Sequence, residues 1–170
     1  MPRVIHADRE LLVTLIKKTM DGHIPYKMGG KALSLDCDSS VLGEDADGVM
    51  QGMDCSGYLR WLIYRITKGL VTIPDGSWNQ RAWFQVQGFA PCNYSDCSRK
   101  DDVLRIAFLN SENGEAGHVW LIVNSLTIES HGRSKINGVW QDGPSRRPWN
   151  WKSLKNKVDY CFVLTSQSNW

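Results

Sequence analysis

The sequence predicts an α+β protein, with helices in the first half and an antiparallel β-sheet in the second. Apolar residues recur at helical spacing up to about residue 86, and after Asp101 the period changes to short apolar runs and alternation. Helices first and a meandering sheet second is the α+β arrangement, not the alternating βαβ one. The chain has 170 residues and no stretch that reads as a linker or low-complexity tract, so one domain spanning 1–170 is expected.

The elements follow in order. Leu11, Leu12, Leu15, Ile16 and Met20 fall on one helical face between about Asp8 and Asp21, with Asp8 as cap and Gly22 as stop. His23 to Gly30 is rich in turn formers, and the acidic stretch from Asp36 to Gly48 reads as a surface loop. Leu59, Leu62, Ile63 and Ile66 repeat at i, i+3, i+4 and i+7, with Gly69 placed to end the helix, which therefore begins close to Asp54, Cys55 and Ser56. A shorter helix is expected over Ser77 to Val86, with Ser77 as its cap. Strands are expected at Val103 to Leu109, Val119 to Val123, Leu126 to Ser130 and Val158 to Leu164.

Composition narrows the function classes. The net charge is +2, and the basic excess of Arg146, Arg147, Lys152, Lys155 and Lys157 is interrupted by tryptophans, which argues against nucleic acid as a partner. No segment is long and apolar enough for a membrane span, and the N-terminus lacks the apolar run of a signal peptide. Synthesis in the cytoplasm is therefore expected, with any export by another route. Five cysteines is an odd count, so at least one thiol stays free unless a metal or second chain takes it.

A thiol attacks as the thiolate and needs surroundings that stabilise negative charge. Cys55, at the first turn of a helix, lies near unpaired backbone N–H groups that also suit a developing oxyanion. The small neighbours Ser56 and Gly57 leave room for a substrate carbonyl. His118 opens a strand directly after Gly117 and is the candidate base. If Asn124 and Ser125 form a two-residue turn, Val123 pairs with Leu126, Trp120 with Glu129 and His118 with His131. Glu129 and His131 then share a face with His118, and either suits the role of fixing its tautomer.

Asp54-Cys55-Ser56-Gly57 before an apolar helix resembles the nucleophile motif of the NlpC-type cell-wall cysteine peptidases, and Gly117-His118-Val119 resembles their base motif. Pro25, Tyr26, Gly29 and Gly30 are similar to that family's substrate-contacting tyrosine and glycine pair, and Pro74, Ser77 and Gln80 to its run after the nucleophile helix. The match covers about residues 8 to 165. It implies a papain-like fold and hydrolysis of an amide in peptidoglycan stem peptide, commonly between D-glutamate and the diamino acid, without a cofactor. Tyr26, Asp54, Ser56 and Ser77 would line the substrate site. In the third catalytic slot, aligning Ile128 with the apolar residue that precedes it selects Glu129, with His131 as runner-up. The stretch between Gly30 and Asp54 is longer than the family's spacing, and Asp101-Asp102-Val103 stands where the family has Gly-Asp. Cleavage at muramoyl-L-alanine, acyl transfer and silent stem-peptide binding are the alternatives. Delivery by a phage particle, a lysis cassette or a contact-dependent apparatus is expected, with phage structural or lysis proteins, or an immunity protein, as possible partners.

Other features carry weaker chemistry. Cys92 and Cys97 suggest a zinc site or a local disulfide, but no second close pair of Cys or His supplies zinc's remaining ligands, so a surface loop is expected. The acidic run Asp45-Ala46-Asp47-Gly48 near Asp36 and Asp38 lacks the glutamate a calcium loop needs. Trp140, Trp149 and Trp151 with Arg146 and Arg147 suggest a surface for glycan or peptide, against which stand core packing and a helix cap at Asn150. His6 and His23 are expected to be exposed polar residues.

Overall fold

A computed structural model of the chain describes residues 1–109, 117–149, 158–168 and 170. Helix α1 spans Arg9–Asp21, α2 Cys55–Ile66 and α3 Ser77–Val86. The strands are β1 Arg105–Leu109, β2 His118–Val123, β3 Leu126–Ile136, β4 Val139–Pro148 and β5 Val158–Val163. They form an antiparallel sheet in the order β4-β3-β2-β1-β5, so the protein is α+β, as expected.

Each helix starts from a local cause, though not always the expected one. The Asp8 carboxylate accepts from the Leu11 N–H at 2.9 Å and caps α1. That helix buries Leu12, Leu15, Ile16 and Thr19, while Met20 is exposed. The face is rotated because Thr19 meets the Tyr58 hydroxyl at 2.7 Å inside the core and ties α1 to α2. In α2, Leu59, Leu62, Ile63 and Ile66 are fully buried, each contributing about 1.5–3 kcal/mol of hydrophobic stabilisation. Gly69, at φ +81°, lets the chain turn away as its N–H returns to the Tyr64 carbonyl at 2.8 Å. Helix α3 corrects one expectation: Ser77 is its first residue and Gly76 its cap, with no side-chain capping bond. The loop from Asp36 to Gly48 contains a short 3-10 turn at Ser39–Val41, capped by Asp38.

The sheet carries two sets of apolar side chains. Ile106, Phe108, Val119, Leu121, Ile128, Phe162 and Leu164 join the helices in the main core. Ala107, Trp120, Ile122 and Cys161 alternate with these and pack with Cys97 and Trp149 in a second cluster. Trp149 is thus a core residue, whereas Trp140 is exposed beneath the Arg133 guanidinium. Arg147 is buried, which removes it from any surface patch with Arg146. Trp151 and the Asn150 cap lie outside the described residues.

Cys92 is joined to Cys161 by a disulfide, which corrects the expected plain surface loop: the segment is tied to β5, and the bridge is not the local one to Cys97. Cys97 is buried with its Sγ 3.6 Å from that of Cys161. Among the described residues no helix is long and apolar enough to cross a membrane.

The turn at Asn124 and Ser125 is a two-residue hairpin with φ of +49° and +64°, and Val123 pairs with Leu126 as expected. The ladder continues in the expected register through Ile122↔Thr127 to Leu121↔Ile128. Beyond that point β3 turns to another contact: the Ser130 hydroxyl donates to the Met53 carbonyl at 2.8 Å, just before α2 begins. The end of the β2–β3 ladder and the start of α2 thereby converge.

Candidate active site

Asp54 is the residue that fixes the start of α2. Its Oδ1 accepts from the Gly57 N–H at 2.6 Å and from the Ser56 hydroxyl at 3.1 Å, and its Oδ2 accepts from the Gly29 N–H at 3.1 Å. One carboxylate therefore caps the helix and fastens the glycine turn to it. The glycines have a packing reason. A Cβ on Gly57 would stand 2.4 Å from the Gly30 carbonyl oxygen, and one on Gly30 would stand 2.4 Å from that of Gly52. Gly57 is small to admit the backbone of Gly30, where sequence reasoning had it making room for substrate. Ser56 is likewise buried, with its hydroxyl on Asp54.

Gln80 secures the same helix from the other side. Fully buried, it donates through Nε2 to the carbonyls of Ser56 and Pro74, each at 2.9 Å. Ser77, one turn before it, flanks the base motif: a Cβ on Gly117 would come within 3.1 Å of the Ser77 Oγ and 2.9 Å of the Leu109 carbonyl oxygen. Glycine at 117 thus lets β2 begin close against α3.

These fastenings bring Cys55 and His118 together. Cys55 is the first residue of α2 and 5 % exposed, and its thiol lies close enough to the His118 imidazole to act on its charge. The Nε2 of His118 faces the Glu129 Oε1 at 3.5 Å, longer than a fully formed N–H···O bond. Burial alone would lower the imidazole pKa. The hydrogen bond to Cys55 and the hydrogen bond and charge of Glu129 outweigh it and push the value up to about 9 from 6.5. At neutral pH His118 is an imidazolium, a form that stabilises a thiolate beside it and can donate a proton. The ring also lies 5.2 Å from that of Trp120, which shields its flank.

Of the two candidates for the third position, Glu129 is the residue at the Nε2 of His118. It is fully buried and takes a second partner, the Arg147 Nη2 at 2.6 Å. His131 lies further along β3, with Nδ1 at 2.6 Å from the Gly132 carbonyl oxygen and 3.2 Å from the Ser134 Oγ. That Oγ in turn accepts from the Arg147 Nη1 at 3.2 Å. Both candidates therefore belong to one polar chain, running His118, Glu129, Arg147, Ser134, His131.

Tyr26 closes the other side. Its N–H donates to the Asp142 Oδ2 at 3.1 Å, and the phenol pKa is pushed up to about 12 by burial first, then by the nearby charges of Cys55 and Asp54. The hydroxyl stays protonated and can donate. Of the four residues expected to line a substrate site, Tyr26 stands beside Cys55 and Ser77 against Gly117, whereas Asp54 and Ser56 are taken up in building the start of α2.

Sequence reasoning missed Arg147 and Gln80 as parts of this site. Arg147 lies on β4, a strand it did not foresee, and Gln80 was quoted as part of a motif without a physical role. Their signal was residue type: an amide and a guanidinium within otherwise apolar packing require partners. Among the described residues no group of three or more His, Cys, Asp or Glu side chains is gathered to hold a metal ion. No protein-family model matches the chain and no curated protein matches it, so what the site can do rests on the arrangement of Cys55, His118 and Glu129 themselves.

Proposed function

We propose that the protein is a cysteine peptidase or amidase with a papain-like fold, acting on the stem peptide of bacterial peptidoglycan, and that it cuts the bond between D-glutamate and the diamino acid. The observation that carries the chemical half of this reading is the contact of the His118 imidazole with a thiol held at a helix N-terminus, with a carboxylate behind the ring. The substrate half rests on the resemblance of the motifs around Cys55 and His118 to those of the NlpC-type peptidases.

The reaction then divides the labour simply. The Cys55 thiolate attacks the peptide carbonyl, and a C–S bond forms as the carbonyl oxygen takes up negative charge near the first-turn N–H groups of α2. His118 gives its proton to the leaving amine, and the C–N bond breaks. Water, deprotonated by His118, hydrolyses the thioester and regenerates the thiol. Glu129 keeps the ring oriented and its positive charge countered throughout.

Purified peptidoglycan treated with the protein should release new amino groups, and mass spectrometry of the fragments should place the new termini at D-glutamate and the diamino acid. Cys55→Ala should abolish the release while leaving the far-UV circular dichroism unchanged. Activity that survives this replacement would sink the assignment, and cleavage at muramoyl-L-alanine would move it to an amidase.

A further inference from the structure

The polar chain behind His118 contains a residue that no step of this mechanism uses. We propose that Arg147 is a positioning residue: it anchors the Glu129 carboxylate and, by its fixed positive charge, sets the pH window in which Cys55 and His118 work. The inference rests on the reading of Cys55 and His118 as a working pair.

Two cations compete for one oxygen. The Glu129 Oε1 lies 2.6 Å from the Arg147 Nη2 and 3.5 Å from the His118 Nε2, so the guanidinium holds it more closely than the imidazole does. All of this is out of water, with the Glu129 side chain 0 % and the Arg147 side chain 6 % exposed. A charge buried this deeply interacts more strongly than one at the surface. The geometry is built on both strands: Thr127 on β3 pairs with Arg147 on β4, and its hydroxyl donates to the Arg147 carbonyl at 3.1 Å. The second guanidinium nitrogen is steadied by Ser134, so the fork is held at two points.

The groups that face the pair come from every surrounding segment. Helix α2 brings Cys55 and the capping Asp54, the segment before it brings Tyr26, β2 brings His118, β3 brings Glu129 and His131, and β4 brings Arg147. Among them Arg147 is a permanent cation. A fixed positive charge favours an anion and disfavours a second cation beside it, so removing it moves the reactive window of the pair to higher pH. A guanidinium that only neutralised a buried carboxylate for the sake of folding would leave the window in place once the fold was kept.

The test is the rate of alkylation of Cys55 by iodoacetamide as a function of pH, read by mass spectrometry on the peptide containing Cys55 so that Cys37 and Cys97 do not interfere. It needs no substrate. In Arg147→Met the half-maximal pH should rise by about one unit, while Arg147→Lys should keep the wild-type midpoint. Because Arg147→Met leaves a buried carboxylate without its closest partner, the comparison is repeated between Glu129→Gln and Glu129→Gln/Arg147→Met, where no such carboxylate remains and the same upward shift is expected. Superimposable profiles within both comparisons, or an equal shift in the Lys variant, would overturn the proposal. A wild-type Cys55 that reacts like an ordinary free thiol would instead overturn the working pair itself, and with it the proposed function.

Discussion

A Cβ on Gly57 would stand 2.4 Å from the carbonyl oxygen of Gly30, so helix α2 and the glycine turn meet backbone to backbone. Nothing flexible intervenes, since the obstructing atom is main chain. Gly57→Ala gains a little helix propensity, below about 1 kcal/mol, and loses more by forcing the two backbones apart, on the order of 2 kcal/mol net. Urea denaturation should show the loss. Alkylation of Cys55 should slow as well, because Asp54, which caps α2 beside Cys55, is fastened to that contact.

The raised pKa of His118 makes stability depend on pH in a defined direction. Its folded value of about 9 exceeds the ordinary 6.5, so the contribution is fully present below 6.5 and is lost as pH rises through 9. Its size is on the order of 3 kcal/mol. Chemical denaturation at pH 6 and at pH 9.5 should show the decline, and His118→Asn should flatten it. An equal decline in that variant would assign it to other groups.

Glu129 and His131 separate by mutation. Glu129→Gln keeps an oxygen for Arg147 but removes the charge facing His118, and turnover on peptidoglycan should fall by at least about tenfold. His131→Gln acts on His118 through Ser134 and Arg147, and should cost no more than about threefold. The reverse ranking would assign the third position to His131.

The Cys92–Cys161 disulfide closes a loop across a sequence separation of 69 residues and ties the segment before β1 to β5. Removing it with Cys92→Ser should lower stability by about 2–4 kcal/mol. The rate of Cys55 alkylation at neutral pH should stay within about twofold of wild type, since Cys161 packs in the second cluster and Cys55 in the main core.

The helices, the β2–β3 turn and the catalytic candidates were legible because each rests on local pattern. The face Leu59, Leu62, Ile63 and Ile66 is a periodicity, and Asn124-Ser125 is a turn between apolar runs. Strand β4 and the outer half of β3 were not foreseen, because their residues are mostly exposed and polar and show no apolar alternation. A signal was nonetheless present at Asn137-Gly138, which adopts φ of +49° and +81° as a two-residue hairpin turn requires. Missing that strand left Arg147 on an imagined surface. The Cys92–Cys161 partner was also beyond local reasoning, since the segment read as a surface loop and only the fold brings β5 beside Cys92.

The sheet keeps two sulfur chemistries apart. On one side of it a cystine has already given up its electrons, with the spare thiol of Cys97 pressed against it, where exchange would merely redraw the bridge. On the other the thiol of Cys55 is free. An oxidant that meets Cys92 finds the bond made. An oxidant that reaches Cys55 finds a free thiol instead, so the two sides of the sheet answer the same reagent differently.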